Sequence, residues 1–380
     1  MTKNVKYLTV LLLVIVACKK AYQPSVILIN YNYLVIDGVI NAGKNGVTTI
    51  TLSRTKSLTD SLPPKPELGA QVFIEGDNNE SYFLVSQGDG RYNSAPLNLS
   101  LAAKYRLRIT TSNAGTYQSD FVPVKQTPPI DSISWQQDTS KKDVHIYAHT
   151  HDPQNNTRYY RWDYVETYQY NAQLFSYWGL SSTNHIYFID STTPQQYNCW
   201  TTAYSSNIAL ATSEALSQDV ISYAPLITIK KNSEMIGIRY SVNVKQYALT
   251  QAAYQYWDIT RKSTQQTGTI FDPQPSQVLG NIHCTSNPSE PVIGYVSASY
   301  VTEKRIFIDT HQLKDWQYVV PGNDCQQGAT DQDANDFTKF NYFDSTFGPW
   351  YYSGTQIVIV KKDCIDCRRR GGSSVKPGFW

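Results

Sequence analysis

The 380-residue chain has no apolar run of the roughly 20 residues that a bilayer-spanning helix needs; its first apolar stretch, Leu8 to Val16, falls well short. It has almost no net charge, with 33 Lys+Arg against 31 Asp+Glu, and removing Lys3 and Lys6 with residues 1–17 leaves 31 of each sign. That balance excludes the basic excess of a nucleic-acid binder, so no nucleic-acid partner is expected. Methionine numbers 2 while Tyr numbers 29 and aromatics reach 13%, a composition that favours strands over helices. No G-x-S-x-G elbow, H-E-x-x-H helix, phosphate loop or dinucleotide fingerprint occurs. The enzyme classes recognised by those motifs are therefore excluded, and a non-enzymatic protein without a cofactor is expected. No internal repeat or low-complexity linker is present, and the length allows two or three domains with proper cores.

What is present first is an address. Lys3 and Lys6 precede the apolar run, and small Ala17 ends it, which reads residues 1–17 as a signal peptide. Ile15-Val16-Ala17-Cys18 resembles a bacterial lipobox, in which Cys18 is lipidated and becomes the first residue after cleavage. Residues 18–27 are then a lipidated tether, and the expectation is a protein anchored to a membrane and not threaded through it. Lys19 and Lys20 follow Cys18, and neither is the Asp of an inner-membrane retention signal. An outer-membrane location is expected, with its periplasmic or cell-surface face left open.

The rest reads as all-β. Alternating segments at Leu34 to Ile40, Thr48 to Leu52, Gln71 to Glu75, Tyr82 to Val85, Tyr105 to Ile109 and Tyr117 to Val122 are separated by turn-formers such as Gly88-Asp89-Gly90. This spacing predicts an immunoglobulin-like β-sandwich over 28–126, with Leu101 and Tyr105 as a candidate tyrosine corner. Thr127-Pro128-Pro129 breaks any strand. A larger, sandwich-type β region is expected over 130–380. Its strands include Val144 to Thr150, the long period-two run Tyr160 to Tyr170, Ile186 to Ile189, Leu226 to Ile229, Ile236 to Val244, Val292 to Tyr300, Arg305 to Ile308 and Ile357 to Val360. Ala253, Tyr256, Trp257 and Thr260 recur at helical spacing, which predicts a helix near 250–263 with Thr250 as N-cap. A lone helix of this kind is expected to plug the end of a sandwich.

Residues able to carry chemistry are few. His145, His149 and His151 share one face of a strand, but no further ligand can be located, so they read as solvent-facing imidazoles and no metal site is expected. Asp331-x-Asp333-x-Asn335 resembles the start of a calcium loop but has Asp336 where the loop requires Gly and Tyr342 where it requires Glu. Asp163 and Glu166 fall on opposite faces of their strand and make a poor glycosidase pair, and the aromatic row from Tyr160 to Tyr170 reads as core. Cys364-Ile365-Asp366-Cys367 has redox spacing, but Arg368-Arg369-Arg370 and not a helix follows it. In an oxidising compartment the cysteines are structural. Cys325 is expected to bridge to Cys364 or Cys367, tethering the polar stretch Pro321 to Asn341, and Cys199 to bridge to Cys284.

Longer motifs carry a resemblance. Tyr240-Ser241-Val242-Asn243-Val244-Lys245-Gln246, Tyr254-x-Tyr256-Trp257, Gly268-Thr269-Ile270-Phe271-Asp272 through Pro275, Gly280-Asn281-Ile282, and Asn287-Pro288-x-Glu290-Pro291-Val292-x-Gly294-Tyr295 follow one another in order. Cys18-x-x-x-Tyr22-x-Pro24 and Leu34-Val35-Ile36-Asp37-Gly38-x-Ile40 precede them, and Cys364-x-Asp366-Cys367-Arg368 with Lys376-Pro377-Gly378-Phe379-Trp380 ends the chain. The set resembles the domain-of-unknown-function 4249 family of Bacteroidetes lipoproteins. Members are often encoded beside TonB-dependent receptors, so the resemblance implies a TonB-dependent receptor as partner; it brings no catalytic residue set. The expected function is a non-enzymatic outer-membrane lipoprotein that binds a ligand, of unknown identity, or docks on such a receptor. The competing expectations are a β-sandwich enzyme degrading glycan or peptide, and a structural envelope or adhesion component.

Overall fold

The computed structural model describes residues 32–56, 60–181, 186–190, 195–265, 280–318, 325, 328–333, 346–354 and 356–380. The signal peptide, Cys18 and its tether, Asn335 and the Gly268 to Pro275 motif lie outside the described residues.

The expected strands between Leu34 and Lys125 form, joined by Arg91–Ser94 and Lys65–Pro66. They do not divide into two stacked sheets. Going round from Lys104–Thr110, the pairing runs through Gln71–Gly76, Ser81–Ser86, Arg91–Ser94, Thr49–Arg54 and Leu34–Asn41 to Ser297–Ser299 and Val122–Lys125, which pairs back to the start. This is a closed eight-stranded barrel. Closure satisfies edge backbone groups that an open sheet would expose. Alternation places Leu34, Ile36, Ile50, Leu52, Val72, Ile74, Leu107 and Ile109 inside. Tyr105 is wholly buried, and its hydroxyl accepts from the Ser100 N–H at 2.9 Å. That back-bond is the local feature Leu101 and Tyr105 suggest, formed here in a barrel.

Ser297–Ser299 pairs in parallel with both of its neighbours, through Val39↔Ser297 and Ala298↔Val124. Ile282–Cys284 extends the same sheet at Thr116–Ser119. The barrel therefore draws on residues that the sequence reading assigned to the region after Pro129, and the expected strand Val292 to Tyr300 shortens to these three residues. Gly294 lies just before them at φ +139, where a Cβ would fall on the Ile36 carbonyl; only glycine allows the two segments so close.

Beyond Pro129, two sheets face one another. One is Ile130–Gln137, Val144–Asp152 and Asp219–Ile229; the other is Asn198–Tyr204, Tyr159–Asn171, Arg239–Ala248 and Thr302–Asp309, with Ala209–Thr212 beside the start of the long strand. Tyr160, Trp162, Tyr164, Tyr240 and Val242 meet Ile133, Val144, Ile146, Leu226 and Ile229 in one core, so the aromatic row is core from its first half onward. The prolines do not separate the two units. Gln246 donates to the Pro128 carbonyl at 2.9 Å, and the Thr127 hydroxyl meets Ser299 at 2.7 Å.

The helix spans Gln251–Gln265, and the Thr250 hydroxyl accepts from the Ala253 N–H at 3.2 Å. It does not close a sandwich end. Its Ala253, Tyr254 and Trp257 fill the wedge between the units, against Leu210, Tyr247 and Leu249 on one side and Val39, Tyr295 and Val301 on the other. Arg161 lies over the Trp257 ring at 3.8 Å and pairs with Asp163 at 3.0 Å, locking the helix to the sheet.

A small lobe follows, with strands Trp178–Leu180 and Ile186–Phe188 and the three-stranded sheet Gly328–Asp333, Gln356–Lys361 and Phe347–Ser353. Two disulfides hold it. Cys325 bonds Cys364, with Cα atoms 6.0 Å apart, and Cys199 bonds Cys367, with Cα atoms 5.8 Å apart. The expected Cys199 to Cys284 bridge is corrected: Cys284 is a free, buried thiol at the barrel edge. Cys199 pairs in register with Tyr170, whose hydroxyl donates to the Cys367 carbonyl at 3.0 Å.

Candidate functional site

A cleft of about 840 Å³ opens between the helix and the edge of the barrel, a volume within the range of small-ligand sites. The helix contributes Tyr256, Thr260, Ser263 and Thr264, spaced so that they share one face. The opposite wall comes from the strand Ile282–Cys284 and the stretch 288–293. Pro288 and Pro291 limit the conformations open to that stretch. Its ends are pinned, with the Glu290 N–H donating to the Asn287 carbonyl at 2.9 Å, and Ile293 donating to the Leu34 carbonyl at 3.0 Å and accepting from the Ile36 N–H at 2.8 Å on the first barrel strand.

Glu290 is the cleft's acidic group. Its Oε1 accepts from the Tyr117 hydroxyl at 2.7 Å and lies 3.9 Å from the Arg54 guanidinium, while its Oε2 meets the Cys284 thiol at 3.8 Å. Arg54 is itself paired with Glu67 at 2.6 Å, and both side chains are nearly buried. Burial and the bond to Glu290 push the Tyr117 phenol up to about 12, so it stays a donor at neutral pH. Cys284 Sγ has Ser286 Oγ at 3.4 Å and Glu290 as neighbours, and the adjacent His283 is paired with Asp120 at 3.3 Å. The arrangement is an apolar pocket with one hydrogen-bonded carboxylate, suited to holding a ligand.

The sequence candidates are dispersed. His149 bonds Ser134 at 2.7 Å, His145 bonds Thr228 at 3.0 Å and His151 pairs with Asp131 at 2.8 Å, so each imidazole serves a different neighbour. Among the described residues no group of three His, Cys, Asp or Glu is placed to hold a metal ion. Cys364 and Cys367 bond different partners and not each other. Asp163 is held by Arg161, and Glu166 points into the core, where Tyr240 donates to it at 2.6 Å.

Burial pushes the Glu166 carboxyl above the ordinary range, with the Tyr240 hydroxyl partly opposing this. The folded state therefore binds this proton more tightly than the unfolded state. Stability from this group is present below the unfolded pKa and is lost as pH rises toward the folded value. Glu166→Gln is expected to flatten denaturation midpoints across that window, read as chemical unfolding at a series of pH values; an unchanged pH profile would contradict this.

The cleft was not foreseen because Arg54 and Tyr117 are remote in sequence from Cys284 and Glu290. The available signal was the run Asn287 to Tyr295, which supplies one wall. A family model described as "Domain of unknown function (DUF4249)" matches residues 19–305. That stretch contains every described residue lining the cleft and stops short of Cys325. No curated protein matches the chain.

Proposed function

Because the chain belongs to the DUF4249 family, we propose that it is a lipid-anchored outer-membrane protein without enzymatic activity, which holds a ligand in the cleft and docks on a TonB-dependent receptor. The observation that carries this reading is that residues bearing the family resemblance, Tyr256, Gly280, Ile282 and Pro288 to Val292, converge on one pocket. The lipobox at Cys18 supports the anchor, and the two facing sheets beyond Pro129 support a sandwich reading of that unit. Co-purification from detergent extracts, with a tag placed away from Cys18, is expected to recover a receptor. Recovery only as a free monomer would overturn the docking.

Cys18→Ala is expected to leave the protein unprocessed or soluble. Two or three acyl chains, each buried methylene contributing about 0.8 kcal/mol, make the native attachment firm. Mass spectrometry showing an unmodified N-terminus elsewhere would remove the anchor.

A further inference from the structure

We infer that the cleft takes an apolar ligand bearing one positive charge, an alkyl or aryl-alkyl ammonium; this rests on the reading of the cleft as a ligand site. Glu290 is the one carboxylate among the described lining residues, and neither Lys nor Arg is among them. The guanidinium beside it, Arg54, sits 3.9 Å from Glu290 but 2.6 Å from Glu67, so it is shared between two acids. On the helix Arg261 and Lys262 are both engaged by Asp258, at 2.5 and 2.7 Å, and neither is among the described lining residues.

Glu290 also has bonding capacity left. Oε1 is used by Tyr117, but the described neighbour of Oε2 is a thiol at 3.8 Å, a weak donor. An ammonium supplies the missing charge-assisted bond. Ile282, Val292, Ile293 and the two prolines take the apolar body. A carboxylate ligand would meet Glu290 as a like charge, and a neutral hydroxyl would offer it only an uncharged hydrogen bond.

The test uses the mature chain from Lys19 to Trp380, exported behind a cleavable signal without the lipid-bearing cysteine so that it needs no detergent, and three probes of one shape: 4-phenylbutylamine, 4-phenylbutanol and 4-phenylbutyrate. Affinity is measured by calorimetry and location by amide hydrogen exchange. The amine is expected to bind about tenfold or more tightly than the alcohol, to slow exchange over 256–264 and 282–293, and to lose its advantage over the alcohol in Glu290→Gln. Equal binding of amine and alcohol to the unmutated site overturns the charge assignment and leaves the cleft as a ligand site, whether or not Glu290→Gln folds. Failure of all three probes to slow exchange over 256–264 and 282–293 overturns the cleft reading itself.

Discussion

Trp162→Ala should destabilise the unit beyond Pro129 by about 4 to 5 kcal/mol, a large part of the whole stability of an ordinary domain. Trp162 is fully buried on the long central strand and stacks on Tyr160 with ring centroids 5.8 Å apart. Its indole N–H donates to Gln246 at 2.8 Å, and Gln246 in turn donates to Pro128 at 2.9 Å and Thr150 at 3.0 Å. Truncation removes the largest fully buried side chain of that core and leaves the buried Gln246 oxygen without its donor, so the cavity cost and the orphaned acceptor add. Trp162→Phe separates them. It keeps much of the volume and is expected to cost about 2 kcal/mol or more, part from lost volume and part from the lost hydrogen bond. Urea unfolding followed by circular dichroism measures both. A loss below about 2 kcal/mol for the alanine variant would mean that the two sheets are not held by this contact.

Removing the Cys199–Cys367 bond, as Cys199→Ala with Cys367→Ala, should cost about 5 kcal/mol in the chain-entropy view, against about 4 for the Cys325–Cys364 pair. The difference comes from the sequence separations, 168 and 39 residues. The long bridge sits among Tyr170, Ala172 and Cys199, beside the backbone bonds that Cys367 makes to Gln196 and Ser373 exchanges with Trp200. Hydrogen exchange should show faster exchange over 347–370 in the double variant and in reductant, with the barrel core, which contains neither bridge, unaffected. Uniform loosening of barrel and lobe would show that the bridge stabilises the whole chain instead.

Some of this architecture is written locally. Alternation in Leu34 to Ile40, Gln71 to Glu75 and Tyr105 to Ile109 describes strands with one apolar face whatever they pair with, and Thr250 before an apolar stripe describes a helix start. These signals act within a few residues, so they survive being read in isolation. Strands such as Asn198–Tyr204, Ala209–Thr212 and Ile282–Cys284 escaped because they are short or polar and become strands by pairing with neighbours already in place. The site was legible only in part. Glu290 stands inside a quoted motif and Cys284 six residues before it, but its partners Arg54 and Tyr117 come from two other places in the chain.

By itself the sequence determined a mostly β chain with a helix after Thr250, the family, and a cysteine-tethered end. The tertiary structure decided that the first sheet closes into a barrel, because the closing strand Ser297-Ala298-Ser299 has no apolar pattern and is selected by parallel pairing with Leu34–Asn41 and Val122–Lys125. It also decided which cysteines meet, since thiol proximity follows from strand register and not from spacing. The cleft arises the same way: its two walls are segments that only the packing of the helix against the barrel brings face to face.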